Sequence, residues 1–356
     1  MIRRCESVKG GSMSRRIPVL KMAIAAWLAT FFWNSPLIAQ DTFYKGKTVR
    51  IIVGSAPGGG FDTYARAIAR HIGNHISGKP TVIVENMTGA GSLRAANHLY
   101  RVAKPDGLIM GHFLGGLLLG QAMGREGIEF DARKFEYVGV PVRESSICAL
   151  SRRAGVTTMD QWLGSKTPVK MGGIAPGNAT DDIPKILQSS LALPIHLVSG
   201  YKGTSEVRLA VESGEVAGVC MGWDSIKATW RKALDAGDVL IVLQINPRPH
   251  PEIAKVPLAI NLAKSEEGRR LIEVGVHDMS AIFRPYVVPP GTSSERVEIL
   301  RRAFLDTMRD PEFLAAAEKA TMTIDPVPGE EVKRIVAGLF QLPPALLAKL
   351  KDVLKW

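Results

Sequence analysis

The chain has 356 residues, 46% of them hydrophobic, 22% charged and 6% aromatic, which excludes a disordered, collagen-like or disulfide-dense miniature protein and leaves room for two domains. The formal net charge of +11 does not make a nucleic-acid binder, because residues 1–39 hold six Lys and Arg against Glu6 and the remainder carries only +6. In that remainder bases alternate with acids and lack interleaved aromatic residues, so a nucleic-acid partner is not expected.

The surplus charge belongs to a targeting segment. Arg15, Arg16 and Lys21 precede an apolar run over residues 22–33 and then Asn34, Ser35 and Pro36, the plan of an export signal with cleavage near Ala39. An uncleaved anchor is the alternative, and Ser14-Arg15-Arg16 leaves Sec and twin-arginine export both open. Met13 is a second possible start. Cys148 and Cys220 would remain after cleavage; an oxidising compartment leaves their pairing open, while the spacing favours separate buried thiols.

The mature part opens with a β-branched run that predicts a buried parallel strand over 48–53, followed by the glycine-rich loop 54–60. From Asp62 the apolar period becomes helical, with Ala65, Ile68, Ala69 and Ile72 on one face, Asp62 placed to cap the first turn and Gly73 to end it. A strand over 81–84, the loop Thr88-Gly89-Ala90-Gly91, a helix over 92–100, the turn 105–107 and a strand over 108–110 complete a βαβαβ run. The rhythm resumes with strands over 169–172, 195–198, 216–220 and 239–245 and helices over 184–190 and 205–213. The proline-studded stretch 246–251 reads as a crossing or linker, and helices over 294–310, 330–340 and 345–354 close the chain.

Among the motifs, the loop 54–62 carries the strongest signal, because consecutive glycines let backbone amides approach a ligand while the following helix points its positive end there. Its spacing is neither a dinucleotide fingerprint nor a Walker A loop, and the near match over 73–80 has Pro80 where a magnesium-binding hydroxyl is needed. The loop 88–92 repeats the chemistry with hydroxyls at both ends, so two helix starts can face one crevice at the strand ends of a parallel sheet. His71 and His75 have the spacing of a metal pair but no third ligand in a recognisable motif, and no nucleophile or zinc signature occurs, so neither a metal nor a catalytic residue is expected.

Tyr44-Lys45-Gly46-Lys47, Ala56-Pro57-Gly58-Gly59-Gly60-Phe61-Asp62, Val84-Glu85-Asn86 before Gly89-Ala90-Gly91, and Pro105-Asp106-Gly107 occur in this order. With Gly200-Tyr201-Lys202-Gly203-Thr204, Gly214-Glu215-Val216 and Val288-Pro289-Pro290-Gly291-Thr292, the set resembles the substrate-binding proteins of tripartite tricarboxylate transporters, the Bug receptors. The resemblance implies an α/β, two-lobed type II periplasmic binding fold with parallel-rich sheets and two crossing strands. Residues 42–145 with 246–356 would form one lobe and residues 146–245 the other. It also implies a periplasmic monomer without cofactor that holds a small organic carboxylate and delivers it to integral membrane permease subunits.

Carried over residue by residue, the implied ligand contacts are Ala56, Gly59, Gly60, Asp62, Thr88, Ala90 and Ser92 in one lobe and Ala175, Gly177, Asn178, Thr180 and Lys202 in the other. Phe61 and Trp223 are candidates to line an apolar pocket or to pack in the core. The sequence departs from the family pattern at Phe61, at Met87-Thr88, at Ala217 and over 222–225, and these departures leave the ligand's identity open. The alternatives are a sensor built on the same fold and a periplasmic α/β enzyme acting on a phosphate-bearing substrate.

Overall fold

A computed structural model describes residues 43–55, 57, 58, 60–201 and 203–355. The export signal, Ala56, Gly59 and Lys202 therefore lie outside the described residues. Strand β1 (Thr48–Val53) buries Val49, Ile51 and Val53 completely, and helix α1 (Gly60–Ile72) lays Ala65, Ile68 and Ile72 against the same core. β2 (Thr81–Asn86), α2 (Leu93–Arg101), β3 (Ile109–His112) and α3 (Gly116–Ala122) follow, and β4 (Glu136–Val140) ends the first pass. The chain then crosses at 141–145 into β5 (Ser146–Ser151), an element with no alternation that the sequence reading did not resolve.

The second group consists of α4 (Met159–Leu163), β6 (Val169–Gly172), α5 (Ala179–Leu191), β7 (Ile195–Val198), α6 (Thr204–Ser213), β8 (Gly218–Gly222), α7 (Trp223–Thr229), α8 (Arg231–Asp235) and β9 (Val239–Gln244). The return passes through the proline stretch to α9 (Ala259–Leu262), α10 (Glu266–Ile272), a π-helical turn over Glu273–Asp278 and α11 (Met279–Ile282). β10 (Tyr286–Val288), α12 (Ser294–Thr307), α13 (Pro311–Lys319), β11 (Val327–Pro328), α14 (Gly329–Leu339) and α15 (Pro344–Leu354) complete the order.

Two sheets result. The first runs β11-β4-β10-β3-β1-β2, with β1 parallel to β2 and β3 and with β10 antiparallel between β3 and β4. The second runs β7-β6-β8-β5-β9, where β5 is antiparallel to β8 and β9. This is the two-lobed type II arrangement, a doubly crossed pair of α/β sheets. Helices α10 and α15 pack on α5 although α15 comes last in the chain, and the Lys185 ammonium donates to the Leu354 carbonyl at 2.8 Å. One apolar cluster accordingly joins Leu99, Phe113 and Phe135 to Trp162, Ile186, Leu271 and Leu350.

The cysteines correct an expectation. Cys148 and Cys220 form a disulfide rather than standing apart, because β5 and β8 place them directly opposite in the ladder with Cα atoms 4.0 Å apart. No helix among the described residues is long and apolar enough to cross a membrane.

Candidate functional site

The two glycine loops of the first sheet are tied to each other at their strand ends. The Ser92 hydroxyl donates to the Gly54 carbonyl at 3.0 Å, and the Asn86 amide donates both to the Ser55 carbonyl and to the Asp62 carboxylate at 2.9 Å. Ala90 and Ser92 take left-handed φ values of 46° and 72° in alternation with Gly89 and Gly91, whose φ is also positive, a curl that leaves Thr88 to Gly91 exposed. Ser92 is buried, so its hydroxyl braces the loops instead of facing a ligand.

Asp62 acts likewise. Its carboxylate accepts from the Arg66 guanidinium and the Gly58 amide, each at 2.8 Å, so it closes the preceding loop rather than capping the first turn of α1. Those bonds, the one from Arg66 foremost, hold its carboxyl down at about 2 against the opposing effect of burial. A group depressed in the folded state gives stability that is complete above its unfolded value near 3.8 and is lost as pH falls toward about 2. Asp62→Asn is therefore expected to unfold at lower urea than wild type at neutral pH. The gap between the two urea midpoints should narrow between about pH 4 and about pH 2.

Under the start of α1 lies an aromatic stack. Phe61, 9% exposed, faces His112 at 4.7 Å between centroids, and His112 stacks on Tyr286 at 4.2 Å. Burial holds the His112 imidazole neutral, with its pKa lowered to about 3, and its Nε2 and the Tyr286 hydroxyl are buried without a partner among the described residues. Above Phe61 stands the Arg284 guanidinium, 4.7 Å from that ring's centroid and 5.2 Å from Tyr64's. A Cβ on Gly60 would lie 3.2 Å from Arg284 Nη1. The Arg284 side chain is 13% exposed and pairs with Glu144 through Nε at 3.3 Å and Nη2 at 3.4 Å.

In the second sheet, Asn178 caps α5 by accepting from the Thr180 amide at 3.1 Å. The buried Thr180 hydroxyl accepts from the Ile174 amide, and the Gly177 amide donates to Asp182 at 3.1 Å. Ala175 is exposed beside them. Between the sheets lies a chamber of about 80 Å³, lined among others by Gly116, Glu144, Gly177, Asp182, Met279 and Phe283. Of the residues expected from sequence, Gly177 lines it.

Trp223 is packed, 7% exposed, with its indole N–H on Glu252 at 3.1 Å. The His75 ring is committed to Asp310 at 2.8 Å and His71 lies edge-on to Phe313, and no group of metal-ligating side chains occurs among the described residues.

Arg284 and Glu144 are the residues that sequence reading missed. Glu144 lies in the first crossing and Arg284 lies between α11 and β10, outside any glycine loop or periodic face. Only the return of β10 into the middle of the first sheet brings them together.

No family model matches the chain, and no curated protein matches it. Solved structures do. A TctC solute-binding protein from Polaromonas superposes with a TM-score of 0.67 at 18% identity, over 88% of this chain and 99% of that one. A Rhodopseudomonas palustris protein with bound adipate gives 0.63 at 17% identity, over 87% and 97%, and the R. palustris protein MatC with bound malate gives 0.60 at 19%, over 86% and 99%. At these identities the likeness establishes a shared fold, that of two-lobed solute-binding proteins.

Proposed function

We propose that the chain is an exported receptor that captures a small organic carboxylate between two lobes and hands it to the integral membrane permease subunits of a tripartite-type transporter. The strands of residues 42–145 and 246–356 form one lobe and those of 146–245 the other. The receptor works in the periplasm as a monomer, without cofactor or chemistry of its own. The observation that carries this reading is the chamber between the two sheets, set at the first crossing and beside the start of α5, on a fold shared with malate-bound and adipate-bound proteins.

Backbone donors at Gly60, Thr88, Ala90 and Ala175 suit a receptor that must also release its load, because they cost no side-chain entropy and carry no net charge. Ala56 and Gly59 belong to the first of these loops and Lys202 to the connection between β7 and α6, and all three are proposed with them. Hinge closure on the ligand follows from this architecture.

Thermal unfolding with hexanoate, benzoate, malate, adipate and citrate tests the proposal. At a hundredfold excess over its dissociation constant, a bound acid stabilises the folded state by about 2.7 kcal/mol, a rise in Tm of several degrees. Gly60→Val, which pushes a branched side chain toward Arg284, should abolish that rise while leaving the ligand-free Tm close to wild type. If no acid shifts the wild type, or if one is chemically turned over, the receptor reading is wrong.

A further inference from the structure

The Arg284–Glu144 pair has an unusual form for an ion pair set this deep. Its two contacts, at 3.3 and 3.4 Å, are longer than the roughly 2.7–2.9 Å of a charge-assisted N–H···O bond. Arg284 Nη1 is buried without a hydrogen-bond partner and points toward Gly60 at the positive end of α1. Three aromatic rings, those of Phe61, Tyr64 and Phe283, fix the guanidinium from the sides and leave its hydrogen-bonding edge as the variable part.

Glu144 is held more lightly. It sits in the first crossing, its amide donates to the Ser280 carbonyl at 3.1 Å, and its side chain, 23% exposed, lines the chamber. A Cβ on Gly222 of the second sheet would lie 3.0 Å from Oε1, so the carboxylate also touches the facing sheet.

A buried guanidinium left without a counter-charge is costly, so an anion site built on one needs an occupant when empty. We infer that Arg284 is the cation that receives the ligand's carboxylate and that Glu144 is its stand-in in the ligand-free protein, so that binding exchanges one carboxylate for another. This inference rests on the receptor reading above. Because Glu144 belongs to the crossing, the exchange frees a contact between the hinge and both sheets at the moment of capture.

The chamber also sets the ligand class. Its wall is made by Leu119, Ile183, Val276, Met279, Phe283 and Leu354, and its charged lining groups, Glu144 and Asp182, are both acids. With Glu144 at the Arg284 end, a second carboxylate at the far end of the ligand would meet Asp182 and no lining cation, so the preferred ligand is a monocarboxylate with an apolar body.

Calorimetric titration with hexanoate, benzoate, malate, adipate and the neutral hexanamide tests the inference on wild type, Glu144→Gln, Arg284→Lys and the double variant Glu144→Gln/Arg284→Gln. The double variant replaces the ion pair by a neutral pair of similar volume, and the ligand-free Tm reports its folding. In wild type a monocarboxylate should bind more tightly than malate or adipate, and hexanamide should not bind. The double variant should lose about 10- to 100-fold in affinity for that acid, and Glu144→Gln alone should bind it more tightly than wild type.

Unchanged affinity in both the double variant and Arg284→Lys would overturn the anchor while leaving the receptor reading intact. Weaker binding by Glu144→Gln would make Glu144 a ligand contact and overturn the exchange. Tighter binding of malate or adipate would overturn the ligand class. A wild type that binds none of the acids would overturn the receptor reading and this inference together.

Discussion

Gly115→Ala is expected to destabilise the protein by about 3 kcal/mol or more, read as a fall in the urea midpoint with unchanged slope. The residue has ordinary helical φ and ψ, so the requirement for glycine is spatial, not conformational. A Cβ there would lie 1.8 Å from the Ile282 carbonyl oxygen and 2.9 Å from the Phe283 Cα, and the Gly115 amide already donates to the Phe283 carbonyl at 2.9 Å. Backbone faces backbone, so no side chain can rotate away to make room. The displaced segment carries Phe283 and Arg284, so the variant should also lose ligand binding. Gly116→Ala is the internal control, because its Cβ would meet nothing closer than the Gly177 carbonyl at 3.8 Å. Equal stability of the two variants would mean that the segment over 282–284 is free to move off α3.

Removing the disulfide with Cys148→Ala/Cys220→Ala should lower stability by about 2–5 kcal/mol. The bond joins residues 72 apart in sequence and fixes β5 against β8, and both cysteines are fully buried. Alanine suits this test because a serine would add buried hydroxyls without partners. Urea unfolding under oxidising and reducing conditions measures the effect, and the mass of the intact wild type confirms the bond. In a reducing compartment the wild type should behave like the double variant, which agrees with the export proposed above. Equal stability of the two proteins would show that the ladder alone holds β5 and β8.

The sequence made the repeating α/β units legible because their elements are long and periodic. The strand expected over 48–53 and those over 169–172 and 195–198 are found with those bounds, and the helix expected from Asp62 begins two residues earlier, at Gly60. The helix expected over 184–190 starts earlier: Pro184 lies inside α5, five residues after Ala179, and Asn178 supplies the cap.

β5, β10 and β11 escaped notice for a different reason. β5 is buried along its whole length and shows no alternation, and the other two are three and two residues long. Short segments of this kind are strands only because partners flank them, and the same ignorance hid the cysteine pairing. At the site, the glycine loops were visible as chemistry that any ligand-approaching backbone requires. Ser92 and Asp62 were recognised as important, but their bonds turn inward to the loops. Arg284 and Glu144 meet across 140 residues, and no local pattern announces such a meeting.

The place of β10 bears on how the chain becomes a protein at all. The second sheet is continuous in sequence, from Ser146 to Gln244, whereas the first cannot close until Tyr286 arrives to bridge β3 and β4. As the polypeptide emerges, the earlier-made half must wait with two unpaired strand edges while the later-made half has every strand it needs. The second sheet should therefore acquire protection from hydrogen exchange first during refolding. Fragments that stop short of Tyr286 should aggregate even though they retain both glycine loops, which makes premature truncation a hazard to solubility before it is a loss of binding.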